Sequence, residues 1–208
     1  MRRHVVAPLL VLAFVTSACT GSGGEDASDP SGEAERAIAG AEGRESLATE
    51  IEIARLAVVS PDELRAAALA HIQDDTSEVH LAALYALALS VSENDLDAID
   101  ALRGFLDADT DDERLTAAGG LLSSGEKAAI PVLIDLLASQ VPVPNSDPPR
   151  AVWEVAQGLL LFHTDQDLGL EEAAGAKAVA AVQAGWQAWW TASGEAITWD
   201  PTTGRFSG

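Results

Sequence analysis

Cysteine, basic residues and long apolar runs are all scarce in this chain of 208 residues. The single cysteine, Cys19, excludes a disulfide framework. Twelve Lys and Arg stand against 33 Asp and Glu, a formal net charge of −21. Such a surface repels nucleic acid and anionic lipid headgroups and favours cationic partners or ions, besides keeping the chain soluble. The apolar stretch at 5–15 is eleven residues, too short to span a bilayer core of ~30 Å as a helix. No segment sustains the alternation of a strand, so the fold is expected to be all-α. Catalytic fingerprints are missing as well: there is no Gly-x-Ser-x-Gly, phosphate-binding loop, dinucleotide motif or HExxH. The chain is therefore expected to be no enzyme and to carry no cofactor or metal.

What is present is a repeat. Residues 77–137 read as one two-helix unit written twice. The first helices align with His80 on Arg114, 34 residues apart, and the second with Ile99 on Ile130, 31 residues apart. A period of this size is the signature of stacked helical pairs, which bury a continuous core only against their neighbours. Ser60 to Glu63, Asp75 to Glu78 and Thr110 to Glu113 each have the spacing of a capping box, and Pro61 suits a first helical position. Starts near 60, 75, 94, 110 and 126 predict helices of about 12 residues. The run 81–89 is apolar on every side except for the Tyr85 hydroxyl, which predicts a helix buried all round, mid-stack. Leu96, Ile99, Leu102, Phe105 and Leu106 form the apolar stripe of the next helix, with Asp97, Asp100, Arg103 and Asp107 on its outer side. Pro131 is expected in the first turns of its helix or at a bend.

These residues resemble the HEAT-repeat family. Leu64-Arg65 with Ala68, Val79-His80 with Ala83 and Leu87, and Arg114-Leu115 with Ala117 and Leu121 match the first helix of a HEAT unit. Gly125-Glu126, followed by Ile130-Pro131-Val132-Leu133, matches the opening of the second. His80 stands where the family usually has Arg, and Gly119-Gly120 is poorer in helix formers than the pattern. The resemblance covers roughly 60–140. It implies a short α-solenoid of antiparallel helical hairpins, about 7–8 helices, and says little about function.

At the N-terminus, Arg2, Arg3 and His4 precede the apolar stretch, the order of a targeting segment. Val15-Thr16-Ser17-Ala18-Cys19 follows and resembles a bacterial lipoprotein box, with Thr16 where Leu is usual. The resemblance implies cleavage before Cys19, acylation of its thiol and new N-terminus, and a protein held on the extracytoplasmic face of a cell membrane. Ordinary secretion with cleavage nearby is the alternative. The expected order is a leader at 1–18, a flexible polar tether at 19–32 and one helical-repeat domain at 33–208 with a Trp-rich cap from about 170.

Within the domain, 33–41 is either a frayed helix or more tether. Residues 45–58 predict a helix with Leu47, Ile51, Ala54 and Val58 at helical spacing. Helices are also expected at 61–73, at 148–162 starting on Pro148, and from 171 to about 192. Residues 141–147 form a loop, Asp200-Pro201-Thr202-Thr203-Gly204 a turn, and the chain end is expected extended and packed back.

Several constellations bear on chemistry. Trp186, Trp189 and Trp190 fall on one helical face, a possible aromatic platform for sugar or peptide, or the packed face of a cap. Asp107, Asp109, Asp111 and Asp112 start like a calcium loop, but Asp112 and Ala118 occupy the positions that need Gly and Glu, so a helix-capping turn fits better. His71 and His80 flank Asp74-Asp75 at no established zinc spacing. Ser124-Gly125-Glu126-Lys127 matches Ser-x-x-Lys without its companion motifs. The favoured function is a membrane-anchored interaction or scaffold module, in which Asp97, Asp100, Arg103, Asp107 and Asp135 meet a basic segment of a partner protein. The alternative is a binder of envelope glycan or a small molecule, or an accessory subunit of an envelope enzyme, working through the Trp-rich end.

Overall fold

The structure is a computed structural model that describes residues 30–43, 46–146, 148–168 and 176–208. The expected leader, most of the expected tether and Cys19 lie outside the described residues, as do 171–175 at the start of the last expected helix. The elements are α1 (Pro30–Ala39), α2 (Ser46–Val59), α3 (Pro61–His71), α4 (Ser77–Ser90), α5 (Leu96–Arg103), α6 (Asp111–Ser123), α7 (Ala129–Leu136), α8 (Val152–Thr164), α9 (Ala176–Ser193), β1 (Thr198–Asp200) and β2 (Arg205–Ser207). The described chain is thus mostly helical, with one antiparallel hairpin in which Trp199 pairs with Phe206. It divides into two compact units, one up to Ala86 and one from Leu87, the division falling inside α4.

In the first unit α1, α2 and α3 each pack on the other two. Residues 33–41, open between helix and tether, are helical as far as Ala39, because Ala34, Ala37 and Ile38 recur at helical spacing and are all buried. α1 thus begins at Pro30, inside the stretch 19–32 expected as tether. Arg55 of α2 donates to Glu52 at 2.7 Å and to Glu33 of α1 at 2.9 Å. α2 buries the face opposite to the expected one. Thr49, Ile53 and Leu56 point inward, while Leu47, Ile51 and Val58 are 50, 59 and 62% exposed. Both faces are apolar, and periodicity alone does not choose between them.

In the second unit α6 packs on α5, α7 and α8, while α7 also packs on α8 and α9. α6 starts 34 residues after α4, and α7 starts 33 after α5, so the repeat seen in sequence returns as helix spacing. Thr110 caps α6 through a 3.2 Å bond from the Glu113 N–H, with its own hydroxyl donating to the Glu113 carboxylate at 2.7 Å. The Ser60 box does not form, since that side chain makes no capping bond. The Gly119-Gly120 pair has a packing reason: a Cβ on Gly120 would lie 2.7 Å from the Ala88 Cα, so only glycine lets the chains approach this closely.

Three further differences have local causes. Leu81 and Leu89 of α4 are 42 and 39% exposed, so this helix is not buried all round. Leu96, at the first position of α5, is exposed, and the helical stripe shrinks to Ala98, Ile99 and Leu102 because the helix stops at Arg103. α8 begins at Val152 rather than Pro148. Successive prolines disfavour helix in the residue before each, and the chain there is extended, with Val143 N–H bonded to Arg150 O at 2.8 Å and Val152 N–H to Val141 O at 2.9 Å. Glu154 then caps α8 by accepting from the Ala151 N–H at 2.6 Å.

Candidate functional site

The aromatic end is built on α8, α9 and the hairpin. Trp186 is fully buried, and its indole N–H has no hydrogen-bond partner among the described residues. Trp189 meets it edge-to-face at 5.5 Å between ring centres, and Trp190 lies 6.4 Å from Trp189. Trp189 and Trp190 are half-buried, so of the three indoles these two keep surface available to a ligand. Trp190 packs against Gly194, where a Cβ would lie 2.7 Å from the indole.

The hairpin closes over the end of α8. Asp200 makes the turn, accepting from the Thr202 N–H and the Thr203 hydroxyl, both at 2.9 Å, and these bonds hold its carboxyl below the usual range. Gly204 completes the loop at φ 65° and offers its carbonyl to His163 Nδ1 at 2.8 Å. His163 is buried between Phe162, at 4.9 Å, and Trp199, at 6.0 Å. Burial lowers its pKa, against the Gly204 bond that raises it, with Arg205 adding to the depression. Arg205 stands 5.2 Å over the Phe162 ring and 3.3 Å from Asp165. An open depression lined by Asp165, Asp200, Thr203, Arg205, Phe206 and Ser207 lies here.

The Ser-x-x-Lys residues serve as a helix end. Glu126 N–H bonds to Leu121 O at 2.8 Å and Gly125 N–H to Leu122 O at 3.1 Å, a Schellman motif with Gly125 at φ 88°. The Ser124 hydroxyl bonds the Leu121 carbonyl at 2.9 Å. Lys127 reaches the Gly194 and Glu195 carbonyls at 3.0 and 3.3 Å, tying this turn to the chain after α9. The Trp199 indole covers Gly125, 2.7 Å from where a Cβ would sit. None of these tertiary ties was legible in sequence, because each joins residues more than 60 positions apart through a backbone carbonyl or a bare glycine.

Among the described residues of the first unit, His71 and His80 each bond partners of their own. His71 bonds Glu35 at 2.6 Å and lies 3.6 Å from Asp74, and these carboxylates raise its pKa, Glu35 the more. His80 Nδ1 bonds the Ile72 carbonyl at 2.8 Å. The acids at 107–112 surround the Thr110 cap, and Asp111 pairs with Arg114 at 3.3 Å. Among the described residues no group of three or more His, Cys, Asp or Glu is placed to hold a metal ion.

Asp97 and Asp100 are exposed on α5, Asp107 in the turn that follows it, and Asp135 on α7. Arg103 bridges to Glu126, which raises its pKa most, and to Asp100 at 2.7 Å, which adds to the rise. On α7, Gln183 of α9 reaches the Ile134 carbonyl at 3.1 Å. Among the described residues no helix is long and apolar enough to cross a membrane. No protein family, curated protein or solved structure matches this chain.

Proposed function

We propose that the chain is a membrane-anchored, extracytoplasmic interaction module: a short HEAT-like solenoid that presents acidic helix faces to a partner protein and performs no chemistry of its own. The observation that carries this reading is the contact pattern from α5 to α9. Each helix touches the next where α5 meets α6, α6 meets α7 and α7 meets α8, and α6 also touches α8, and α7 touches α9. Neighbour and next-neighbour packing of this kind suits stacked hairpins. Exposed carboxylates at Asp97, Asp100, Asp107 and Asp135 suit a basic segment, with Arg103 setting its register through Asp100 and Glu126. The anchor rests on the box ending at Cys19.

Cross-linking of the intact protein in its native cells tests the reading. A defined protein partner is expected, and its capture should weaken and lose salt sensitivity when the four aspartates are changed to Lys. Capture indifferent to those changes removes the acidic faces from the interface. Recovery of wall glycan instead favours the second reading, a glycan binder using Trp189 and Trp190, which their half-exposed rings support. Cys19→Ala should release the protein from the membrane fraction or leave it unprocessed.

A further inference from the structure

We infer that the outer face of α2 lies on the surface of an uncharged lipid bilayer, so that the first unit rests on the membrane rather than hanging from it. The inference builds on the Cys19 anchor proposed above. α2 is apolar on two opposite sides. One side, with Ile53 and Leu56, is fully buried. On the other, Leu47, Ile51 and Val58 repeat at steps of four and seven residues and are 50% exposed or more. Ala54 completes this stripe, while Val59, 59% exposed, lies at the helix end on the side of Arg55. Of the nine large apolar side chains exposed among the described residues, four belong to this one helix. No residue of the stripe is itself charged, and it is flanked by Glu50 on one side and Arg55 on the other. The nearest cation, Arg55, is already paired with Glu52 and Glu33.

The bilayer is the occupant that the chain's own length selects. Only ten residues separate Cys19 from Pro30, where α1 begins. A chain of that length reaches at most about 40 Å, and α1 packs directly on α2. An acyl anchor at Cys19 therefore confines this helix to the water layer next to the lipid. At that effective concentration a stripe too small to recruit a free protein binds as an intramolecular event. The chemistry also fixes the lipid class. A chain at −21 with no cation on the stripe gains nothing from anionic headgroups and is repelled by them, so contact is apolar and favours a zwitterionic surface.

The test uses the full-length acylated protein in phosphatidylcholine vesicles. An environment-sensitive fluorophore is placed on Ile51→Cys and, in a control, on Ala66→Cys at an exposed position of α3; acylation leaves no other thiol. Mass analysis of the N-terminal peptide reports the anchor separately. The expected result is a blue shift and quenching by lipids brominated on the acyl chain at position 51, with neither at position 66. Adding Leu47→Gln and Val58→Gln should abolish the quenching without altering the circular dichroism. Full acylation with a label at 51 that remains in water, or with both positions quenched alike, overturns the inference and leaves the anchor standing. A blue shift without lipid quenching, accompanied in a parallel unlabelled sample of Ile51→Cys by disulfide linkage of position 51 between copies, assigns the face to a second copy and overturns it too. An unacylated N-terminus removes the anchor and the inference together.

Discussion

The two units close their cores differently. Up to Ala86, α1, α2 and α3 form a closed triangle in which each helix touches both others. From Leu87 onward packing passes along the chain, and α7 meets α6, α8 and α9. The consequence shows in burial. Five of the eight residues of α7 are buried, against three of the fourteen in α2. A helix with three neighbours spends nearly all its circumference on them. A helix at the edge of a triangle has a free side, and if that side is apolar it stays uncovered. The difference in architecture, more than any difference in composition, leaves Leu47, Ile51 and Val58 uncovered by the rest of their unit.

All five tryptophans lie in the second unit, so indole fluorescence follows that unit alone while far-ultraviolet circular dichroism follows both. This separates the two in one denaturant titration. The largest effects are expected from core truncations. Leu56→Ala should cost the first unit about 2–5 kcal/mol, and Trp186→Ala should cost the second about 3–5 kcal/mol. The former should shift only the dichroism transition, and the latter mainly the fluorescence transition. Coincident shifts by both probes in both variants would break the comparison and mark a single cooperative domain.

Glycine contacts come next. Ala at Gly125 meets both the left-handed backbone and the Trp199 ring, and Ala at Gly120 meets the Ala88 backbone. Each should destabilise the second unit by about 1–3 kcal/mol in urea unfolding. For Gly120 this reverses the gain of about 1 kcal/mol that replacing glycine inside a helix normally brings. A stabilised Gly120→Ala protein would show that α6 has room to move away from Ala88.

The pH responses of the two units should have opposite signs. In the first, His71 is raised by Glu35 and Asp74 above its ordinary value of about 6.5. Its contribution is complete below that value and is lost as pH rises through the folded-state pKa. In the second, His163 is lowered by burial, so the unfolded chain takes the proton first. Its contribution holds above about 6.5 and is lost as pH falls toward the folded-state pKa. Denaturant midpoints between about pH 5 and 8 should rise with pH by fluorescence, and His163→Gln should flatten that slope. The stability of the first unit should fall with pH, and His71→Gln should flatten that fall.

The smallest contrast concerns the caps. Thr110→Ala removes a made capping bond and should cost about 1 kcal/mol. Ser60→Ala removes none and should stay within about 0.5 kcal/mol of neutral, as read by the same titrations. Equal losses would mean that Ser60 caps α3 in solution.

Much of the helical layout was legible because strong local signals agree. The capping chemistry at Thr110, the turn at 200–204 and the spacing between α4 and α6 all depend on residues within one turn or one period of each other. Legibility failed where two answers carried equal local weight. α2 offers two apolar faces, the 81–89 run offers no polar side to mark the outside, and the prolines at 148–149 satisfy a helix start and an extended pairing alike. The site residues divide the same way. That Trp186, Trp189 and Trp190 share a helical face follows from spacing. That Trp186 is sealed while its neighbours keep some surface depends on α7 and the rest of the second unit.

The order of residues, then, determined helix after helix, where most of them begin and stop, and the acidic character of what they show to solvent. These follow from interactions that span a few residues and are decided before any helix meets another. Tertiary packing decided which of two apolar faces turns inward, that Trp199 lies on Gly125, and that Lys127 and His163 are held by carbonyls far along the chain. Such choices depend on which surfaces are covered at once, a property of the assembled units that no local stretch contains.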